Sequence, residues 1–262
     1  MNEKTRNNKD LLLNFSLNGI LGIIGFSTII PIKREISLDE TIGSIILWPY
    51  ISIIVSVLGV IIAYVSYNIF HLQPILVATL IYASIMWITG FNHLDGVIDF
   101  GDGTMVHGTF EKKINVMKDT NIGTGGIATL ILISLSTIAA YASVPITYII
   151  PTIITAEIAS KIGMLTVIQY GKPTKDGIGQ MFMKGLNNKL LIMTTIISMA
   201  LSYFILGISG IVGIIGGIIG GLWIMYTAHK NFNCVNGDCM GTANEFSRVI
   251  SIIMIIITLN LI

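Results

Sequence analysis

The sequence predicts an all-α polytopic membrane protein, on the basis of its composition, its apolar runs and its spacing of charge. Of the 262 residues, 53% are hydrophobic and 11% are charged, and the mean hydropathy is +0.82. Soluble globular domains carry about a quarter charged residues, so the chain falls outside that class. The apolar residues extend over the whole length, which predicts a single integral membrane domain over 1–262. A net charge of +1 gives no indication of nucleic-acid binding.

Apolar runs define the expected helices. Most of them approach the ~20 residues that a helix needs to cross the hydrocarbon core of a bilayer. The runs cover approximately 11–31, 43–66, 73–91, 124–143, 146–168, 190–207, 210–228 and 247–262. Glycines recur at close to helical spacing between 207 and 221, which predicts a close contact between two helices.

Lysine and arginine predict the topology. They cluster at 4–9, 33–34, 112–118, 161–189, 230 and 248, and the links near 67–72, 144–145 and 208–209 carry none. Because basic loops face the cytoplasm, we expect the active-site loops at about 92–123, 169–189 and 229–246 to lie together on that side. A crossing by 11–31 would leave Lys4, Arg6 and Lys9 outside. We therefore expect about seven transmembrane helices, with 11–31 as a re-entrant or interfacial segment.

The stretch 92–126 gathers ionisable residues in a chain that otherwise has few. Asp95, Asp99 and Asp102 fall at i, i+4 and i+7, so a helix places their carboxylates on one face, where a cation is expected to bind all three. Three aspartates at the bilayer centre would cost about 8–10 kcal/mol on insertion scales, so we expect them to line an aqueous cavity at the cytoplasmic mouth. Oxygen ligands favour Mg²⁺. The flanking glycines Gly96, Gly101 and Gly103 are expected to leave room for a phosphorylated substrate.

Three blocks carry a resemblance to a known family. They are HLDGVIDFGDG from His93, INVMKDTNIGTGGIATLIL from Ile114, and NGDCMGTANE from Asn236. Together with FSTIIPI at 26–32, they resemble the cobalamin synthase family, the adenosylcobinamide-GDP ribazoletransferases, over nearly the whole chain. The chain departs from the family pattern at Asn121, where an arginine is common, at Asn236, where a threonine is usual, and at Phe100 and Gly101, where small residues are usual.

The resemblance implies a phosphodiester exchange. The family joins adenosylcobinamide-GDP to α-ribazole or its 5′-phosphate and releases GMP, and we expect a ribose 5′-hydroxyl to attack the phosphorus attached to cobinamide. Such transfers depend on positioning and on neutralising charge, which suits Mg²⁺ held by Asp95, Asp99 and Asp102. His93 or one of the aspartates is the expected general base, and the sequence leaves this choice open.

Further candidates are expected to bind the substrate. Lys118 offers a cation for the pyrophosphate, and Asp119 either orients that cation or completes a second metal site. Gly123, with Gly125 and Gly126, either presents N–H groups to an anion or only begins a helix. Glu157 and Lys161, four residues apart in an apolar run, either pair with each other or act in function. Asp238 and Glu245 share a helix face and lie in the third block.

Two other classes are weaker fits. A CDP-alcohol phosphotransferase opens its motif as Asp99, Asp102 and Gly103 do here, but Val106, His107 and Val116 break the rest of that pattern. A secondary transporter is disfavoured because the acids gather at one set of helix ends and no internal repeat stands out.

The expected partners are small-molecule corrinoid and nucleoside substrates and the lipid bilayer of a cell membrane, with no nucleic acid. Association with other corrinoid-pathway enzymes is a further hypothesis, and homo-oligomerisation stays open. Cys234 and Cys239 are expected to be reduced.

Overall fold

The structure, a computed structural model, describes residues 16–174 and 177–262. The expectations that concern Lys4, Arg6, Lys9, the first part of the run 11–31 and positions 175–176 of the loop 169–189 therefore lie outside the described residues. In the described ranges the α-helices are α1 (Leu17–Ser27), α2 (Leu38–Gly43), α3 (Trp48–Asn68), α4 (Pro74–Ile88), α5 (Asn92–Met105), α6 (Phe110–Met117), α7 (Thr124–Ser143), α8 (Ile149–Tyr170), α9 (Ile178–Lys184), α10 (Asn188–Leu206), α11 (Ile208–Phe232) and α12 (Gly237–Leu261).

The described helices confirm the predicted fold class. Six segments are long and apolar enough to cross a membrane, and α4 with α5 forms a bent pair that gives a seventh crossing if the pair counts as one span. Large apolar side chains such as Leu132, Phe204 and Trp223 are exposed on these helices. Exposed apolar surface of this extent suits contact with lipid.

The N-terminal helix α1 is too short to cross a bilayer alone. It begins at a cap, where Ser16 Oγ accepts from Gly19 N at 2.9 Å, and it has 11 residues. At 1.5 Å per residue such a helix is roughly 16 Å long, against a hydrocarbon core of about 30 Å. It packs on α2, where Asn18 Nδ2 donates to Glu40 Oε1 at 2.9 Å. This placement agrees with a segment that does not cross.

A sharp bend separates α4 from α5. The two helix axes differ by 97°, and the chain turns at Gly90 and Phe91, whose φ angles of 63° and 60° are left-handed. Glycine adopts this region readily, whereas phenylalanine does so only under tertiary constraint. After the bend, α5 packs against α7 and α12. The region 92–123, expected as a loop, is therefore largely the two helices α5 and α6.

Helix α12 begins ten residues before the apolar run predicted at 247–262. Asn236 caps it, since its Oδ1 accepts from Cys239 N at 3.1 Å. The first turns are polar, so hydropathy does not mark them as part of a span. They are nevertheless buried against α5, and the third sequence block lies in this helix instead of in a loop.

Helix α8 lies at the centre of the bundle, packed on α3, α11 and α12. The glycines of α11 make this packing close. A Cβ at Gly217 would clash with the Ala159 carbonyl oxygen, and one at Gly221 would clash with that of Gly163. The predicted glycine seam is therefore confirmed, with α8 as its partner on this face.

The three polar regions predicted to lie together do meet at one end of the bundle. Lys113 Nζ donates to Asn231 Oδ1 at 2.6 Å, which joins α6 to the end of α11. Lys172 N donates to His229 Nε2 at 3.0 Å, and Val235 N donates to the Lys172 carbonyl oxygen at 2.7 Å. The described residues of the regions 92–123, 169–189 and 229–246 thus form a common surface, which we call the polar end.

Candidate functional site

A cavity of about 420 Å³ opens at the polar end between α5, α8, α9 and α12. Its volume falls within the ~300–1,000 Å³ range of small-molecule sites. One side is apolar and includes Phe26, Trp48 and Phe182, whose ring centroids lie 5.0 to 5.8 Å apart. The polar side chains His93, Asp95 and Asp238 line the other side, with Asn92 beside them, so the cavity joins an apolar wall to a polar, acidic one.

The acids at the mouth come from two helices that cross closely. Asp95 and Asp99 lie one turn apart on α5, and Asp238 lies in the first turn of α12. Gly96 allows this crossing, because a Cβ there would lie 2.9 Å from the Asp238 Cα. Asn236 Nδ2 donates to Asp238 Oδ2 at 2.6 Å and fixes the rotamer of that carboxylate.

This acidic group has no basic partner among the described residues, whose ion pairs all belong to Arg248. The charges of Asp238, Asp95 and Asp102 all act on Asp99. Carboxylates that repel one another without a counter-charge attract a cation. Asp95, Asp99 and Asp238 therefore form an acidic group whose charge no described basic side chain compensates.

Asp102 has a different role from the one that its helical spacing predicts. Its side chain is buried at the start of α7, where Gly123 N donates to Oδ2 at 2.6 Å and Gly126 N donates to Oδ1 at 2.8 Å. It thus caps α7 and complements the positive end of the helix dipole. The N–H groups of Gly123 and Gly126, considered above as an anion cradle, are already bound by this carboxylate.

The three-aspartate metal site is not formed as predicted. In the described part of the chain, no three His, Cys, Asp or Glu side chains are grouped closely enough to hold one ion. Residues seven apart share a helix face, but they lie about 10 Å apart along the axis. Asp95 therefore faces the cavity while Asp102 reaches the neighbouring helix α7.

The glycines of α5 also have a different role from the predicted one. A Cβ at Gly101 would lie 2.5 Å from Thr129 Oγ1, and a Cβ at Gly103 would lie 2.5 Å from Met117 Cγ. These positions admit α7 and α6, and the space is not open to substrate. Gly96 alone of the three borders the cavity, and its Cα hydrogens face α12.

A network of charged side chains lies behind the cavity, inside the bundle. Arg248 Nε donates to Glu157 Oε1 at 2.6 Å, and its Nη1 donates to Glu245 Oε2. Lys161 Nζ donates to Asn244 Oδ1 at 2.6 Å, and Asn244 Nδ2 donates to Glu245 Oε1 at 2.9 Å. Of the two alternatives for Glu157 and Lys161, the pair between them is not formed, because each has its partner on α12.

This network connects the interior to the cavity through one contact. Lys161 Nζ lies 3.3 Å from His93 Nε2, and His93 lines the cavity. Glu157, Lys161 and Glu245 are at most 1% exposed, so they have no surface that a substrate can contact in this structure. Two carboxylates balance one guanidinium and one ammonium, and such balance is what allows charge to be buried.

Arg248 belongs to the buried network, although its position in the sequence does not predict this. The distribution of basic residues groups it with the charges that set topology, whereas its side chain is fully buried in α12. An ionisable residue within an apolar run was the available signal, since such residues face the interior and pair there. Tyr82, whose Oη lies 3.5 Å from Glu245 Oε2, carried no comparable signal.

Lys118 and Asp119 lie outside the cavity lining, on the exposed loop after α6. Asp119 Oδ1 accepts from Asn121 N at 3.1 Å and from Asn121 Nδ2 at 2.8 Å, so these two residues order the loop. Cys234 lies nearby, and burial raises the pKa of its thiol while Lys172 and Lys118 act in the opposite direction. Cys234 and Cys239 are both free, as expected.

The fold and the site together define a polytopic membrane protein with an acidic cavity at one end of its helix bundle. A sequence profile of the cobalamin-5-phosphate synthase family matches residues 19–256, and the chain belongs to that family. This match includes all three blocks that carry the resemblance.

Curated relatives agree with the family match. The chain is 34% identical to the adenosylcobinamide-GDP ribazoletransferase of Methanosarcina mazei over 90% of this chain and 91% of that protein. Identity to the proteins of the same name is 32% for Methanococcoides burtonii, with 90% of each chain covered, and 30% for Thermococcus kodakarensis, with 86% and 93% covered. No solved structure matches the chain.

Proposed function

We propose that the cavity at the polar end is the active site of an adenosylcobinamide-GDP ribazoletransferase. The protein is a transferase of cobalamin biosynthesis that joins adenosylcobinamide-GDP to α-ribazole or its 5′-phosphate. The observation that carries the assignment to this cavity is that Asp95 of the first block and Asp238 of the third line it together. Two motifs far apart in the chain thus contribute acids to one cavity.

The reaction forms one P–O bond and breaks another. A ribose hydroxyl of the acceptor attacks the phosphorus attached to cobinamide, and GMP leaves with the bridging oxygen of the diphosphate. The hydroxyl proton passes to a base. The 5′-hydroxyl expected from the sequence is wrong for this family, because a product described as cobalamin-5-phosphate keeps a phosphate at that position. Another hydroxyl of the ribose is therefore the nucleophile.

The acids fit Mg²⁺, which commonly binds through one or two carboxylates together with substrate phosphates. Because no three of the described acids are close enough to hold one ion by themselves, two of the side chains of Asp95, Asp99 and Asp238 would hold it together with substrate phosphates. Asp238 then takes the place of Asp102 in the predicted ligand set. When bound, the ion neutralises charge on the diphosphate. The residues themselves supply the excess negative charge that retains a cation and that would repel the substrate without one.

The walls of the cavity suit the acceptor substrate and supply a candidate for the general base. The rings of Phe26, Trp48 and Phe182 offer an apolar face to the flat base of α-ribazole. A carboxylate of the acidic group is the better candidate for the general base, because His93 Nε2 faces the ammonium group of Lys161.

We place the active site at the cytoplasmic face of the cell membrane. Lys112, Lys113, Lys118, Lys172 and Lys230 all lie at the polar end. Basic residues next to membrane helices favour the cytoplasmic side. Association with other corrinoid-pathway enzymes and homo-oligomerisation remain hypotheses, and a pull-down that recovers no such enzyme would count against the first.

The test is a reconstituted reaction. Protein purified in detergent is incubated with Mg²⁺, adenosylcobinamide-GDP and α-ribazole, and GMP and the corrinoid product are measured by mass spectrometry. We expect equal amounts of both products and no turnover after chelation of the metal. Release of CMP from a CDP-alcohol donor would instead indicate the phosphotransferase class, and the absence of any product would leave the transporter class.

A further inference from the structure

His93 stands between the cavity and the buried network, and its two ring nitrogens have different surroundings. Nε2 lies 3.3 Å from Lys161 Nζ inside the bundle. Nδ1 has no hydrogen-bond partner in ranges 16–174 and 177–262, and it lies on the side of Gly241, which lines the cavity. A neutral imidazole carries its proton on one nitrogen and accepts at the other.

The network determines which nitrogen accepts. Arg248 donates to Glu245 Oε2, and Glu245 Oε1 accepts the Asn244 Nδ2 hydrogen bond at 2.9 Å. The Asn244 amide is thereby oriented with its Oδ1 toward Lys161, at 2.6 Å from Nζ. Lys161 can only donate hydrogen bonds when charged, and one of its N–H groups points to His93.

The contact with Lys161 determines the tautomer of His93. An N–H at Nε2 would face the N–H groups of Lys161, so Nε2 is the acceptor and Nδ1 carries the proton. The hydrogen bond made by one ring nitrogen decides the state of the other. The orientation is thus passed from Arg248 through Glu245 and Asn244 to Lys161. Lys161 in turn fixes the tautomer of His93.

We propose that Lys161 is a positioning residue for the transfer, which acts from inside the bundle to hold His93 in the tautomer that presents Nδ1–H to the cavity. His93 then donates a hydrogen bond to a phosphate oxygen of the substrate and is not the base. The catalytic part of this inference rests on the proposed function. The tautomer does not, because it exists in the protein without substrate.

The tautomer is measured by ¹⁵N NMR on histidine-labelled full-length protein in lipid nanodiscs without substrate. The His93→Gln variant identifies the signals of His93 among the four histidines. In the wild-type protein we expect a protonated Nδ1 and an unprotonated Nε2. In Lys161→Met, which retains an apolar side chain of similar length, we expect the proton to move partly or wholly to Nε2.

A matched control is Ser160→Ala. Ser160 neighbours Lys161 on α8 and is equally buried, but its Oγ donates only to the Glu157 carbonyl oxygen of its own helix at 2.8 Å. We expect no change in the His93 signals of this variant. In the transfer reaction, Lys161→Met should lower kcat by roughly 10–100-fold with little change in KM, because a donor to the transition state is lost.

The possible results test the tautomer of His93 and the role of Lys161 in the transfer separately. A proton on Nε2 in the wild-type protein overturns it, and this spectrum decides even if Lys161→Met does not fold. An unchanged tautomer in Lys161→Met also overturns it, and a changed tautomer with unchanged kcat overturns the role in transfer. The expected tautomer in a wild-type protein that makes no cobalamin product would instead contradict the proposed function and support the positioning by Lys161.

Discussion

Arg248 of α12 and Glu157 of α8 form a two-point ion pair in the interior of the bundle. Arg248 Nε lies 2.6 Å from Glu157 Oε1, Nη2 lies 3.3 Å from Oε2, and both side chains are fully buried. The guanidinium also binds Glu245 on its own helix. One guanidinium therefore contacts two carboxylates and joins the central helix to the helix that carries Asp238.

Replacing Arg248 by methionine should strongly destabilise the protein. The substitution leaves Glu157 and Glu245 buried with too little compensating charge, and breaking a buried pair in this way typically costs about 3–5 kcal/mol. Unfolding in detergent, followed by circular dichroism, measures the change. Arg34→Met, at an exposed position, is the control and should unfold like the wild type.

A second substitution separates charge from packing in this prediction. Glu157→Gln in the Arg248→Met background removes one uncompensated charge, so it should recover part of the lost stability. If Arg248→Met alone were as stable as the wild type, the ion pair would not hold α8 to α12.

Asp99→Asn should abolish most of the metal-dependent turnover. The substitution keeps the shape of the side chain and removes one charge from the group formed with Asp95 and Asp238. Loss of such an electrostatic contribution typically lowers kcat by about 10²–10³-fold. GMP release measured against Mg²⁺ concentration tests this, with Asp39→Asn on the exposed face of α2 as the control. Normal turnover with normal magnesium dependence in Asp99→Asn would show that the metal assignment is wrong.

Hydropathy predicts those helices that are apolar along their whole length. The run predicted at 124–143 matches α7, Thr124–Ser143, at both ends. Hydropathy fails at the start of α12, because most of the residues from Gly237 to Glu245 are polar or small, although those from Cys239 onward are buried by contacts with other helices. Burial of polar residues depends on which helices meet, and local sequence does not contain that information.

The site shows the same division between local and tertiary information. Helical spacing correctly indicates that Asp95 and Asp99 lie one turn apart on α5. It cannot indicate that Asp102 meets the start of α7, or that Asp238 takes its place beside them. The partners of Glu157 and Lys161 were likewise decided by the position of α12, which brings Arg248 and Asn244 to them.

Asp102→Asn should weaken the attachment of α7 without removing a metal ligand. An asparagine has one accepting oxygen, so either Gly123 N or Gly126 N would face an NH₂ group. An unsatisfied buried donor costs about 1–3 kcal/mol. Unfolding in detergent measures the loss, and Asp119→Asn on the exposed loop after α6 should change stability far less. Equal effects of the two substitutions would contradict the capping role of Asp102.

Gly221→Ala should destabilise the contact between α11 and α8. The added Cβ clashes with the backbone of Gly163, which cannot move without shifting the central helix. Overpacking of this kind typically costs about 1–3 kcal/mol. Gly237→Ala is the matched control for stability, because a Cβ at that position meets no atom within 4 Å. A Gly221→Ala protein that unfolds with the wild-type midpoint would contradict close packing between α11 and α8.

The orientation of the polar end can be tested with the native Cys234, which is half-buried between α11 and α12. A membrane-impermeant maleimide should label it in inside-out vesicles and not in intact cells, because we place this end in the cytoplasm. Burial raises the pKa of the thiol, so the reactive thiolate is scarce at neutral pH and the labelling rate should rise as the pH is increased. Cys234→Ser should abolish the signal, since Cys239 is buried. In that background, a cysteine at the exposed Asn68 should be labelled in intact cells, and the reverse pattern at both positions would invert the topology.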